Sequence, residues 1–147
     1  MPLVANPQEK AVYQPLPTQT QGAPLRVLLV EDSPVIREAV VELVEANGRA
    51  RVAYTTDSEL AAISELKENS YDVVIVDLRL REGSGFGVLR ALQQHQPDTL
   101  TIVLTNYTSA AIRKRCAELG VKWFFDKSTE FEGIVDLISD PQRGSRG

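Results

Sequence analysis

The sequence is short of cysteine, of long hydrophobic runs and of positive charge. Its single cysteine, Cys116, excludes an internal disulfide. No apolar run approaches the ~20 residues of a membrane span, and none resembles the core of a signal peptide, so we expect a cytoplasmic protein without membrane contact. The 16 Lys and Arg residues are outnumbered by 20 Asp and Glu, giving a net charge of -4. Because nucleic-acid binding depends on basic patches, direct DNA binding is not expected.

The first 24 residues differ in composition from the rest of the chain. They hold five of the eight prolines, and Glu9 and Lys10 are their only charged residues, which predicts a flexible N-terminal tail over 1–24. The 147 residues suffice for one ordinary globular domain, which we place at 25–140. A short disordered tail is predicted over 141–147.

From Leu25 onward, strand-length apolar runs alternate with amphipathic segments of helical period. Strands alternating with helices predict an α/β fold, in which a parallel sheet is covered on both faces. Five strands and five helices fit the length. The five predicted strands are LRVLLV, RVAYTT, DVVIVD, LTIVLT and VKWFF.

Residues typical of helix ends agree with this alternation. Ser33 is suited to cap a helix that begins at Pro34, and the segment Thr56–Glu59, TDSE, has the pattern of a capping box. Gly48 and Gly120 stand where the first and fourth helices should end.

Polar side chains follow four of the predicted strands. Glu31 and Asp32 come after the first strand, Asp77 after the third, Thr105 after the fourth and Lys127 after the fifth. In open parallel sheets the chemistry lies outside the carboxyl ends of the strands. The sequence therefore predicts that three carboxylates, one hydroxyl and one ammonium converge on one edge of the sheet.

Such a cluster requires a balancing charge. Two unit charges 4 Å apart repel by about 4 kcal/mol at an effective dielectric constant of 20, and Lys127 alone cannot neutralise three carboxylates. The cluster should either raise its pKa values or hold a cation, and oxygen ligands at a wet edge suit Mg²⁺. With Lys127 and Thr105 beside the metal, Asp77 is a candidate nucleophile for phosphoryl transfer, with an aspartyl phosphate as product.

The ordered set of motifs resembles the receiver domain of two-component response regulators. The resemblance covers about 25–140 and rests on four segments, VLLVEDSPVIRE, YDVVIVDLRLREGSGFGVL, IVLTNY and GVKWFFDKS. It implies a flavodoxin-like (βα)5 fold with strand order 2-1-3-4-5. It also implies that a histidine kinase or phosphotransfer protein phosphorylates Asp77.

The same resemblance implies roles for individual residues. Mg²⁺ would be held by Asp32, Asp77 and the Arg79 backbone carbonyl, with Glu31 acting through a water. Thr105 and Lys127 would bind the phosphoryl group, and Phe124 would be the switch aromatic, although it is also compatible with a plain core position. Arg79 and Tyr107 occupy positions that tune the lifetime of the phosphoryl group in the family, or are solvated loop side chains.

Two positions depart from the family pattern, and both carry another residue where proline is common. They are Arg81 and Ser128, and the second leaves the geometry of the peptide bond after Lys127 open.

Several remaining side chains are interpreted as structural. His95 is expected at the surface, Cys116 in a buried helix position, and Trp123 and Phe125 in the core on the strand face opposite Phe124. The basic run 113–115 is either a partner surface or a solvated helix face.

Of four other functions, two are disfavoured by the sequence and two are retained. A flavin-binding flavodoxin relative is disfavoured because Glu31 and Asp32 would repel a phosphate, and a haloacid-dehalogenase-like phosphatase needs an aspartate where Arg79 stands. The alternatives retained are an interaction module that does not use phosphorylation and a receiver cut from a longer multidomain regulator. We expect no enzyme activity beyond self-phosphorylation and autodephosphorylation, an unknown downstream protein target, and a possible phosphorylation-dependent homodimer.

Overall fold

The computed structural model describes residues 23–139, which form five strands and five helices in strict alternation. The predicted tails therefore lie outside the described residues, apart from 23 and 24. Compared with the predicted runs, the third strand lacks both terminal aspartates and the fifth begins two residues later, at Trp123. The elements are β1 (Leu25–Val30), α1 (Pro34–Glu45), β2 (Ala50–Thr56), α2 (Glu59–Glu68), β3 (Val73–Val76), α3 (Gly85–His95), β4 (Leu100–Thr105), α4 (Ala110–Glu118), β5 (Trp123–Asp126) and α5 (Gly133–Ser139).

The five strands form one parallel sheet in the order β2-β1-β3-β4-β5, which confirms the predicted flavodoxin-like topology. The central strand β3 is buried on both faces, which explains why it reads as an unbroken apolar run, VVIV. The outer strand β2 pairs with β1 in a register that shifts once. Val27 aligns with Val52 but Leu28 aligns with Tyr54, so that Ala53 has no partner on β1.

Each face of the sheet carries its own hydrophobic core. Helices α2, α3 and α4 cover one face, and α1 and α5 cover the other. Phe124 packs on the first face, whereas Trp123 and Phe125 pack on the second, as the alternation of β5 predicted. Cys116 is buried in α4 and His95 is exposed, which confirms both predictions.

The helix ends agree with the sequence at three positions and differ at one. Ser33 caps α1 by accepting a hydrogen bond from the Ile36 amide, and Gly48 and Gly120 adopt positive φ beyond α1 and α4. The predicted capping box was wrong, because Thr56 is the last residue of β2 and pairs there with Val30. Ser58 caps α2 instead, through a 3.1 Å hydrogen bond from the Ala61 amide. No helix within residues 23–139 has the length and apolar character needed to cross a membrane.

Candidate functional site

Strand pairing continues one residue beyond the ends of three strands, and this places the polar side chains of the site. In each case the backbone N–H of the polar residue donates a 2.9 Å hydrogen bond to the last carbonyl of a neighbouring strand. The three bonds are Glu31 to Thr56, Asp77 to Val30 and Lys127 to Thr105. The side chains are thus fixed by the register of the sheet rather than by free loops.

Three carboxylates meet at this edge, as the sequence predicted. Oxygen atoms of Glu31, Asp32 and Asp77 all lie within 4.8 Å of one another. Glu31 and Asp77 are only 1% and 4% exposed, whereas Asp32 is half-buried. The Lys127 ammonium lies 2.6 Å from Oδ2 of Asp77 and 3.1 Å from Oε2 of Glu31. The structure therefore brings one cation to three acidic groups.

The environment shifts the ionisation of two of these groups. Burial disfavours the charged form of Glu31 and raises its pKa, against the opposing effects of a hydrogen bond from the Ser33 amide and of the Lys127 charge. Burial also disfavours the charged form of Lys127. The hydrogen bond and charge of Asp77, together with Glu31, outweigh that effect and raise the pKa of Lys127. The lysine is thus held as a cation by the carboxylates.

Asp32 is the member of the cluster with free coordination capacity. Within residues 23–139 its carboxylate takes no hydrogen bond or ion pair, while Lys127 is shared by the other two acids. The donor set consists of carboxylate oxygens, with the side chain of Asp32 open to water. Such a set fits a hard, partly hydrated cation such as Mg²⁺.

Thr105 and Phe124 lie on the strands beside the cluster. Thr105 is fully buried, and its hydroxyl accepts a 3.2 Å hydrogen bond from the Tyr107 amide. Phe124 is half-buried, and the Arg113 guanidinium lies over its ring at 4.4 Å from the centroid. Arg113 also donates to the Thr108 carbonyl at 3.2 Å. The basic run of α4 therefore includes a residue with a specific contact, which its charge alone did not indicate.

Arg79 and Tyr107, predicted separately from the sequence, contact each other across the mouth of the site. Nη1 of Arg79 donates a 2.6 Å hydrogen bond to the Tyr107 hydroxyl, and its guanidinium lies 5.1 Å from the ring centroid. Both side chains are exposed. The pair bridges the loops after β3 and β4, next to the acidic cluster.

Glu59 at the start of α2 is a residue that sequence reasoning missed. Its carboxylate accepts a 2.8 Å hydrogen bond from the amide of Ser84, in the loop that follows Asp77. The two residues are 25 positions apart, and no local pattern connects them. The peptide bond between Lys127 and Ser128, left open by the sequence, is trans, as are the others within residues 23–139.

Comparison with known proteins agrees with this architecture. The sequence profile of the response regulator receiver domain matches residues 27–139. The solved signal receiver domain of the putative response regulator NarL from Mycobacterium tuberculosis superimposes with a TM-score of 0.73 at 26% identity, covering 82% of this chain and 98% of that one. The response regulator domain of Thermotoga maritima CheB shares the fold with a TM-score of 0.71 at 20% identity, covering 84% and 98%.

The similar curated sequences are longer than this chain. The transcriptional regulatory protein YdfI of Bacillus subtilis is 28% identical over 82% of this chain and 56% of its own length. A protein-glutamate methylesterase/protein-glutamine glutaminase of Rhodopseudomonas palustris is 30% identical over 84% of this chain and 33% of its own length. The chain thus spans about half or less of these relatives. The profile match covers all five helices and all of the sheet except the first two residues of β1, and the chain belongs to the response regulator receiver family of two-component systems.

Proposed function

We propose that this domain receives a phosphoryl group on Asp77 from a histidine kinase or phosphotransfer protein and then changes its protein-binding surface. The observation that carries the proposal is the position of Asp77. It directly follows the central strand β3, belongs to the three-carboxylate cluster and contacts the half-buried ammonium of Lys127. We place the receiver domain at 25–140, between the two tails predicted from the sequence.

The proposed reaction is a displacement at phosphorus. A carboxylate oxygen of Asp77 forms the new O–P bond, the N–P bond of a phosphohistidine breaks, and the imidazole nitrogen keeps that electron pair. In this proposal Lys127 and the Thr105 hydroxyl bind the transferred phosphoryl oxygens. Mg²⁺, held by Asp32, Asp77 and the Arg79 carbonyl with Glu31 acting through a water, would neutralise charge on those oxygens.

The contact between Arg79 and Tyr107 supports a role in the lifetime of the phosphoryl group. Hydrolysis requires a water to approach the phosphorus atom, and the two exposed side chains meet at the mouth of the site. We propose that this pair slows the approach of water. The domain would then retain its phosphoryl group longer than a variant with small residues at both positions.

A switch in the surface follows from the neighbouring residues. A phosphoryl group on Asp77 brings roughly -1.5 to -2 charge and new acceptor oxygens for Lys127 and Thr105. Each charge-assisted bond contributes about 1.5–3 kcal/mol, so two or three approach the ~5.5 kcal/mol that carries a two-state equilibrium from 1:99 to 99:1. We propose that Thr105 moves toward the phosphate and that Phe124 turns into the space it leaves. The surface formed by α4 and β5 would then bind a downstream protein or a second copy of the chain.

Labelling with acetyl phosphate tests the proposal directly. With Mg²⁺ present, intact-mass spectrometry should show one added phosphate on the parent and none on Asp77→Asn. Asp72→Asn is a matched control, because Asp72 lies just before β3, at the opposite end of the same strand. Labelling of Asp77→Asn to the level of the parent would contradict the assignment. Absence of labelling on the parent would favour an interaction module that does not use phosphorylation.

A further inference from the structure

We propose that Glu59 is a positioning residue that holds the loop after Asp77 in the conformation that binds Mg²⁺. This inference rests on the proposed function, because it concerns the same metal site. Glu59 is the first residue of α2, and its side chain is half-buried. Its contacts connect it to the backbone of Arg79, whose carbonyl is the proposed metal ligand.

The loop from Asp77 to Gly85 folds back on itself like a short hairpin. Oδ1 of Asp77 accepts a 2.7 Å hydrogen bond from the Leu78 amide, and the Leu78 carbonyl accepts a 2.9 Å bond from the Gly85 amide. One step further along, Arg79 and Ser84 form an antiparallel bridge. The backbone position of Arg79 therefore depends on where Ser84 is held.

Glu59 holds Ser84 from outside the hairpin. Its Oε1 accepts the Ser84 amide at 2.8 Å, an amide at the start of α3 that the helix itself leaves without a partner. The connection thus runs in two steps from the Glu59 carboxylate to Ser84 and from Ser84 to Arg79. A shift of the carboxylate would be transmitted to the proposed metal ligand.

Two glycines create the space that the carboxylate occupies. A Cβ added at Gly87 would overlap Oε2 of Glu59, and one at Gly83 would overlap its side chain. Gly83 also has φ +85°, a conformation that other residues rarely adopt. The loop, at Gly83, and α3, at Gly87, therefore both pack closely against the Glu59 side chain.

The remaining contacts run from residues 57–60, at and just before the start of α2, to the outer part of the loop. They include backbone hydrogen bonds from the Glu59 amide to the Glu82 carbonyl at 2.9 Å and from the Glu82 amide to the Asp57 carbonyl at 3.4 Å. Glu82 accepts from the Ser58 hydroxyl at 2.6 Å, and Arg81 pairs with Asp57 at 3.0 Å through a side chain that is 76% exposed. These contacts reach the tip of the hairpin rather than the Arg79–Ser84 bridge. An exposed ion pair of this kind contributes little. We therefore assign the positioning of the metal site to the hydrogen bond between the Glu59 carboxylate and the Ser84 amide.

A Mg²⁺ titration of the full chain, followed by the NMR signals of the Leu78 and Arg79 amides, tests the inference. Glu59→Ala should weaken Mg²⁺ binding about tenfold, the lower end of the usual range for residues that orient metal ligands. Glu59→Gln should stay close to the parent, because its amide oxygen can still accept from Ser84. Gly87→Ala should also weaken binding, since its methyl group displaces the carboxylate, although alanine favours the helix more than glycine does.

Glu65→Ala is the matched control, because Glu65 lies on the same helix and accepts hydrogen bonds from Tyr71 and Asn69 at its other end. This variant should bind Mg²⁺ like the parent even if its melting temperature falls. Parent-like affinity in Glu59→Ala, or an equal loss in Glu65→Ala, would overturn the inference and leave the proposed function standing. A parent that binds no Mg²⁺ would overturn both.

Discussion

The two ends of the sheet are both polar, but they are polar in different ways. At the carboxyl end two of three clustered carboxylates share one lysine, and the third, Asp32, has no partner within the described part of the chain. At the amino end a network of hydrogen bonds connects the ends of α2 and α3 with the segments that precede β3 and β4. Every donor and acceptor of its central side chain is in use. That side chain is Gln96, the residue that ends α3.

The amino-end network, as we call it, is built around the amide group of Gln96. Its Oε1 accepts from the Tyr71 amide at 3.0 Å and from the Thr99 hydroxyl at 3.3 Å. Its Nε2 donates to the Leu66 and Asn69 carbonyls at 2.8 and 2.7 Å. Such a network stabilises the fold and leaves the Gln96 amide without spare hydrogen-bonding capacity.

The comparison indicates that the amino end of the sheet stabilises the fold, whereas the carboxyl end is suited to bind a ligand. At the amino end, half-buried polar groups satisfy one another and hold neighbouring segments in place. At the carboxyl end, carboxylates outnumber their cation, and the resulting repulsion can be relieved by a ligand. The following predictions change one end at a time, from the largest expected effect to the smallest.

Removal of the cation at the carboxyl end should have the largest effect. Lys127→Met leaves buried Glu31 and Asp77 without their shared partner, and the loss of one member of a buried ion pair destabilises by about 3–5 kcal/mol. Urea unfolding without Mg²⁺ measures the change, and added Mg²⁺ should recover part of it. A variant as stable as the parent without Mg²⁺ would show that the carboxylates do not depend on the lysine.

Disruption of the amino-end network should cost less and should leave the chemistry intact. Gln96→Ala leaves the half-buried amide and carbonyl groups around it without partners, at about 1–3 kcal/mol of stability. Urea unfolding gives the loss, and labelling with acetyl phosphate should proceed at the rate of the parent. If the variant is fully folded and is nevertheless labelled more slowly than the parent, the amino end of the sheet must influence the chemistry at the carboxyl end.

Neutralisation of the unpartnered acid should have opposite effects with and without metal. Asp32→Asn removes one repulsion and should stabilise the metal-free protein by about 1 kcal/mol, the energy of a unit-charge pair at 4 Å in water. At a Mg²⁺ concentration ten times the Kd, metal binding should stabilise the parent by about 1.4 kcal/mol, and Asp32→Asn should abolish this gain. Thermal unfolding with and without Mg²⁺ measures both.

Asp98→Asn serves as the control for this pair of measurements, because it neutralises an exposed acid at the amino end of the sheet. It should change neither value. If Asp32→Asn behaves like this control, Asp32 belongs to no metal site.

The smallest effect concerns Asp126, a carboxylate at the rim of the carboxyl end that is hydrogen-bonded to Ser128. The Ser128 hydroxyl and amide both donate to its Oδ1, at 2.6 and 2.8 Å, and hold its pKa below the usual 3.8. A lowered pKa contributes stability that is present above pH 3.8 and is lost as the pH falls through the folded-state value.

Ser128→Ala removes the hydroxyl donor, so the pKa of Asp126 should move back toward its usual value. The loss of stability on acidification should then be smaller and should be complete at a higher pH. NMR titration of the carboxyl carbon measures the shift. Ser128→Thr, which keeps the hydroxyl, should titrate like the parent, and an unchanged pKa in Ser128→Ala would leave the amide as the dominant donor.

The sequence was sufficient for the sheet and for the carboxyl-end cluster. Apolar runs of strand length identify each strand, and the residue that follows each run lies at the shared edge, which is how Glu31, Asp77 and Lys127 could be placed together. The end of β2 at Thr56 was predicted correctly, but the cap of α2 was not, because Thr56 stays in the sheet paired with Val30 and Ser58 caps the helix instead.

Contacts between residues remote in the chain could not be predicted in the same way. Glu59 with Ser84, Arg79 with Tyr107, and Gln96 with Tyr71 are each separated by 25 or more positions. Periodicity fixes which face of an element a side chain occupies, but not which side chain of another element it meets. Those partners depend on the packing of complete helices and loops.

The register shift between β1 and β2 has a consequence for molecules that meet in solution. An outer strand exposes unpaired backbone groups that can recruit a strand from another molecule, which is a route to aggregation. The shift at Ala53 breaks the even spacing of those groups on β2, and the neighbouring Arg51 is exposed and charged. A second sheet could not continue along this edge without reproducing the break, so the irregular strand protects the domain from growing into an extended sheet.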